Sequence, residues 1–181
     1  MAKLRREDLK AYQDKTVPDI IGPSLDVLFC GINPSLSSAA MQAHFATPGN
    51  RFWPSLHRSG FTPRQLYPTE NSELLAHNLG VTNLVARATA SAAELDDSEY
   101  PKGVTALRRK CTKYKPNFVA ILGVGAYRVG FGDKKAKLGL QRETLGDTQV
   151  YVLPNPSGLN AHYTPTKLAT LFAELRELAR D

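Results

Sequence analysis

The sequence predicts an α/β fold: one three-layer domain with a central, mostly parallel sheet flanked by helices. Three observations carry that prediction. Short apolar runs at 25–32, 81–85, 117–123 and 149–154 read as strands. Helical segments separate them, and strands alternating with helices form parallel sheets. The chain has 181 residues, 42% of them hydrophobic, which suits a single domain spanning 1–181 with a proper core.

The elements follow in order. Residues 4–13 are expected to form a short amphipathic helix on Leu4, Leu9 and Tyr12, within an N-terminal helical appendage at 1–16. "VPDIIGPSL" (17–25) is a lead-in punctuated by Pro and Gly. "LDVLFCGI" (25–32) is nearly all apolar, as a strand buried on both faces should be. Residues 34–50 are small and polar with little periodicity, so a long loop is expected there, anchored by Asn50 and Arg51. "NRFWPSLHRSG" reads as a helix around Pro54, with Trp53 in the core. Residues 70–78 read as a helix ended by Gly80. "VTNLV" is the second strand.

Residues 103–114 form a basic helix whose Arg108, Arg109, Lys110 and Lys113 are expected on a solvated face. "NFVAILG" (117–123) is the third strand, and "VGAYRVGFG" starts a helix after it. "QVYVLP" is the fourth strand. The last helix spans 164–180, with Thr164 as N-cap and Pro165 at the first helical position. Its Leu168, Leu171, Phe172, Leu175 and Leu178 share one face.

Composition excludes several function classes. The formal charge of +6 fits a nucleic-acid partner, but also a soluble basic protein without one. Cys30 and Cys111 have no Cys-x-x-Cys spacing and are expected to be free thiols in a reducing compartment. The four histidines are scattered, so no metal site is expected. "MAKLRREDLKAYQ" has no apolar stretch behind it and does not read as a signal peptide. No apolar run approaches the ~18 residues of a membrane span.

In an open parallel sheet, ligands bind outside the carboxyl ends of the strands. "GINPS" follows the first strand, "ILGVG" ends the third, and "PNPSGL" follows the fourth. These three segments therefore share one rim. They offer the amides of Asn33 and Asn155, the hydroxyls of Ser35, Ser37, Ser38 and Ser157, and backbone donors. His44 and Phe45 come from the long loop. None of the three segments carries Asp or Glu, which argues against paired-carboxylate and two-metal hydrolysis. "GVGAYRVG" lacks the Lys-Ser/Thr ending of a P-loop. Donor-rich turns of this kind hold an anion, a phosphodiester or the edge of a base. Ser157 and the backbone of Gly123 and Gly125 are candidate phosphate contacts.

"GINPSLSSA", "HFATPGNRFW" and "LPNPSGL", in that order, resemble the mismatch-specific uracil-DNA glycosylases, the bacterial relatives of thymine-DNA glycosylase. "GFTPRQL", "GVTNLVAR" and "AILGVGAY" fall where that family has similar stretches, so the likeness runs from about Val17 to Leu178. The resemblance implies a uracil-DNA glycosylase-like fold and hydrolysis of the N-glycosidic bond of uracil opposite guanine in duplex DNA. It implies no cofactor, a monomer, abasic-site repair enzymes downstream and a bacterial cytoplasmic, nucleoid-associated location. Asn33 matches the residue that positions the attacking water. Phe45 matches the platform for the extruded base, whose edge would meet the backbone near Ile32 and Phe45. Ser38 lies near the pyrimidine ring, and Gly158 and Leu159 match the wedge that enters the helix. Relatives often have an acidic residue just before the arginine of "VTNLVAR", where this chain has Ala86. Asn160 and Ala161 follow the wedge, with His162 the nearest basic candidate for the opposite guanine.

A glycosylase without a lysine in its motifs would be monofunctional. Two other readings stay open at this level. One is a lesion-binding DNA module with little turnover. The other is a nucleotide-binding α/β enzyme unrelated to repair.

Overall fold

The apolar runs fold into strands that are covered on both faces. In the computed structural model, which describes residues 4–181, the elements are α1 (Arg6–Leu9), β1 (Val27–Gly31), α2 (Leu36–Met41), α3 (Phe52–Arg58), β2 (Leu79–Asn83), α4 (Glu99–Tyr114), β3 (Phe118–Leu122), α5 (Val124–Phe131), β4 (Gly139–Leu145), β5 (Thr148–Leu153) and α6 (Pro165–Arg180). The sheet order is β2-β1-β3-β5-β4. β1 pairs in parallel with β2 and β3, and β3 with β5. β4 runs antiparallel to β5.

Side chains alternate between the two faces of a strand. Val27 and Phe29 of β1, with Phe118 and Ala120 of β3, enter a core closed by α3 (Phe52, Leu56) and α6 (Leu168, Phe172, Leu175). Leu28 and Cys30, with Val119 and Ile121, enter the opposite core, closed by α4 (Val104, Leu107) and α5 (Ala126, Tyr127). This is the expected three-layer arrangement. Phe29 sits among three rings: its ring centre lies 5.3, 5.5 and 5.8 Å from those of Phe52, Phe61 and Phe172. Both cysteines are free and buried, and burial raises the thiol pKa of each, Cys111 to about 11.

The chain departs from the sequence reading at several points. The 34–50 segment is not all loop. α2 forms within it because Ser35 caps it, its Oγ accepting the Ser38 N–H at 3.0 Å. Leu36 and Ala39 then pack with Val17 and Ala88, and Leu9 and Tyr12 close over them. Residues 4–13 form α1 and a 3-10 turn to Tyr12, while residues 1–3 of the expected appendage lie outside the described residues. The 70–78 helix is a 3-10 run over Pro68–His77, closed by Asn78 in the left-handed region (φ 55°) rather than by Gly80. Gly80 lies inside β2, which starts two residues earlier than read. The basic helix starts at Glu99.

β4 is a strand the sequence did not reveal. It is an edge strand and mostly exposed, so its sequence GLQRETL carries no apolar pattern. Lys110 also leaves the solvated set. Its ammonium sits 2.7 Å from Asp19 and 2.8 Å from the Thr82 hydroxyl, and Thr82 donates to Asp19 at 2.8 Å. This clip fixes the lead-in segment against β2, where Ile20 bridges Val81.

A Phe29→Ala substitution should cost about 3–5 kcal/mol in denaturant unfolding, because three rings lose a partner. Leu140→Ala on the exposed edge of β4 should stay within about 0.5 kcal/mol.

Candidate active site

The parallel strands bring their carboxyl ends to one rim, and a cavity of about 640 Å³ opens there. Its walls come from the segment after β1, the loop around Phe45, Asn83 at the end of β2, the turn at Thr89–Ala92, and the loop after β5. Ile32, Asn33, Ser38, Phe45, Asn155, Ser157, Gly158 and Leu159 all line it. Three expected residues do not. Gly123 is buried outside the lining, where an added Cβ would lie 3.4 Å from Ile32 Cδ1. Gly125 is exposed on α5, and Ala86 is exposed between Val85 and Arg87; neither reaches the cavity.

The most informative contact is at Asn33. Its Nδ2 donates to the Arg87 carbonyl at 3.0 Å and to Thr89 Oγ1 at 2.8 Å. Thr89 spends its own proton on the Ser91 carbonyl at 2.8 Å, so toward Asn33 it accepts. Both amide hydrogens are thereby used, and the flip of the amide is set. Oδ1 remains as an acceptor with no protein donor among the described residues. The Arg87 backbone is held in turn by its side chain. The guanidinium forks onto Glu99 at 2.7 and 2.9 Å and reaches Asp14 at 2.9 Å. Hydrogen bonding from Arg87 holds the Glu99 carboxyl down at about 2.

A second amide, that of Asn83, also lines the cavity. The His44 ring is buried, and its Nε2 lies 2.8 Å from the Pro18 carbonyl. A carbonyl can only accept, so Nε2 carries the proton. Burial lowers the His44 pKa, which keeps the ring neutral and leaves Nδ1 as an acceptor. Nδ1 faces Asn83 Nδ2 at 3.5 Å, a long contact that orients the Asn83 amide. Asn83 Oδ1 then points at β1: a Cβ on Gly31 would come within 2.7 Å of it and 3.3 Å of the Phe45 ring. Only glycine allows that approach.

Phe45 is half-buried, with its ring stacked on Phe52 at 4.1 Å. Its backbone sits at φ +53°, a region that costs a non-glycine residue about 1–2 kcal/mol. Neighbours hold it there. The Ala46 N–H donates to Ser38 Oγ at 3.1 Å, the His44 N–H to Asn71 Oδ1 at 3.0 Å, and Trp53 Nε1 to the His44 carbonyl at 3.1 Å. Ser38 therefore holds the loop as well as lining the cavity.

The loop after β5 is ordered by its own side chains. Asn155 Oδ1 accepts the Ser157 N–H at 3.0 Å, and Ser157 Oγ accepts the Leu159 N–H at 3.2 Å. Leu159, at its tip, is 94% exposed. Sequence reading missed Thr89, Asn83 and the Arg87 carbonyl. Asn83 was within reach, since it ends a strand on the same rim. Thr89 arrives through an isolated bridge with Ser35, which no local pattern announces.

Chemically, this is a polar cavity with little charge. Among the described residues its lining holds no carboxylate, lysine or cysteine, and Arg51 is the one cation there. No cluster of three potential metal ligands exists among the described residues. The site offers fixed acceptors on two sides, an aromatic floor and a projecting apolar tip.

His44 predicts a pH effect on stability. Its folded-state pKa lies below the unfolded value of about 6.5, so its contribution is complete above that pH and is lost on acidification. The melting temperature should therefore fall more steeply between about pH 7 and 5.5 in the parent than in His44→Gln, which can still donate to Pro18. Equal slopes would rule out this role.

Among solved structures, the fold is similar to a solution NMR structure from Methanosarcina acetivorans, described as a candidate uracil DNA glycosylase. The TM-score is 0.55 and the identity 19%, over 90% of this chain and 98% of that one. The model of the uracil DNA glycosylase superfamily matches residues 18–177, a span that holds every strand and the whole cavity wall, and the chain belongs to that superfamily.

Proposed function

We propose that this chain is a monofunctional DNA glycosylase that removes uracil mispaired with guanine from duplex DNA and leaves an abasic site. The observation that carries this reading is the doubly held Asn33 amide. Its Oδ1 is an acceptor of fixed direction, suited to orienting a water against the sugar carbon of an extruded nucleotide.

The rest of the cavity fits that step. An extruded uracil would stack on Phe45, with its N3–H facing the Asn83 Oδ1 acceptor. An amide such as Asn33 is too weak a base to take a proton from water. The glycosidic bond must then be largely broken before attack, and charge moves onto the departing base. The backbone N–H groups of Ile32 and Phe45 are the donors we assign to that charge. No lysine lines the cavity among the described residues, which fits a reaction without a covalent imine in which water is the acceptor of the sugar.

Extrusion costs a few kcal/mol, and least for a mismatched base. This favours G·U over A·U without any contact to the opposite guanine. Leu159 would fill the gap, as apolar wedges do when they separate base steps. The enzyme acts as a monomer in the bacterial cytoplasm, and its product passes to enzymes that process abasic sites.

The test uses a G·U duplex followed by alkali. The parent should give strand cleavage at the uracil; intact binding without cleavage at stoichiometric protein would favour a lesion-binding module instead. Asn33→Ala should bind the duplex normally but cut at least about a hundredfold more slowly. Thr89→Val keeps the shape but removes the acceptor for Asn33, and should slow cutting about tenfold to a hundredfold. An Asn33→Ala enzyme as fast as the parent would remove the basis of the mechanism.

A further inference from the structure

We propose that Arg51 is a positioning residue for the Leu159 tip, tying the wedge loop to the start of α3, whose Phe52 backs the Phe45 ring. This rests on the glycosylase reading above.

The loop between β5 and α6 has turns but no regular structure, so its carbonyls need partners other than a helix or sheet ladder. Asn160 donates to the carbonyls of Asn155 and Ser157 through its side chain and its N–H, and one guanidinium serves three others. Arg51 Nη1 donates to Tyr163 O at 2.6 Å and to Asn160 O at 3.2 Å, and Nη2 to Gly158 O at 3.4 Å. The residues immediately before and after Leu159 are thus held by the same side chain. The Arg51 backbone adds a fourth tie, its N–H donating to Pro156 O at 2.8 Å. The loops touch so closely that a Cβ on Gly158 would lie 2.5 Å from the Gly49 carbonyl.

Arg51 itself is rigidly based. It stands at the start of α3, directly before Phe52, which is fully buried and stacks with Phe45. It forms no ion pair with any carboxylate among the described residues. Its donors are spent on carbonyls, which is a scaffolding use of arginine rather than a charge-pairing one. A planar fork can serve three separated carbonyls at once, and a lysine ammonium on a flexible stem cannot hold the same geometry. Phe52 backs the base platform and its neighbour Arg51 braces the wedge, so that entry of the base and filling of the gap share one rigid frame.

The test compares Arg51→Lys and Arg51→Gln with the parent, in three measurements. In the free protein, hydrogen exchange of the 157–162 amides should quicken in both variants while the sheet amides stay protected. In a G·U duplex with 2-aminopurine beside the uracil, both variants should show a reduced fluorescence rise on binding. In duplex cleavage, Arg51→Lys should lose about tenfold alone but less than about twofold when added to Leu159→Ala, since coupled residues are not additive.

Unchanged exchange in the 157–162 amides would overturn the proposal. So would full activity in Arg51→Lys beside a loss in Arg51→Gln, which would make Arg51 a charge only. Losses that multiply with Leu159→Ala would overturn it as well. If the parent cuts no uracil substrate, the glycosylase reading fails, and hydrogen exchange still decides whether Arg51 holds the loop.

Discussion

The burial of β1, β3 and β5 on both faces is the constraint from which the rest of the structure follows. A strand with two apolar faces needs a helical layer on each side, and α3/α6 and α4/α5 provide them. Parallel pairing then sends the carboxyl ends of β1, β2, β3 and β5 to one rim. The segments that leave β1, β2 and β5 collect around one opening, whereas the turn after β3 is buried and leads directly into α5. The cavity is a consequence of strand direction before it is a consequence of any particular side chain.

Within that opening, backbone carbonyls set the chemistry of the side chains. The Arg87 carbonyl fixes Asn33, the Pro18 carbonyl fixes the His44 tautomer, and three loop carbonyls engage Arg51. The first two of these carbonyls are held from outside the cavity. The Arg87 side chain is clamped by Glu99 and Asp14, and the lead-in carrying Pro18 is clipped by Lys110, Asp19 and Thr82. Charged groups thus stabilise the frame while the cavity wall stays nearly neutral. Such a wall suits a reaction in which charge develops on a departing base and must not meet a competing carboxylate.

The two Asn-Pro-Ser copies show how far letters go. Both Asn33 and Asn155 follow buried strands on the same rim, as their sequence position implies. Their amides do unlike things. Asn33 donates to residues more than fifty positions away, whereas Asn155 accepts the N–H of Ser157, two residues on. The tripeptide specifies a sharp stop after a strand; the partner specifies the job.

The layers, the direction of the sheet and the segments that meet at the rim are legible along the chain, because apolar periodicity and turn residues act locally. Asn33, Phe45 and Leu159 are legible as rim residues by the same logic, and the family resemblance supplies the roles proposed for them. Long-range packing settles the rest: β4 pairs at the edge, Gly123 is buried away from the cavity, Ala86 lies outside it, and Thr89, Asn83 and Arg51 join the site. The physical reason is range. An edge strand needs no apolar pattern, and the orientation of an amide or guanidinium depends on acceptors brought from 50 to 110 positions away, which no local pattern encodes.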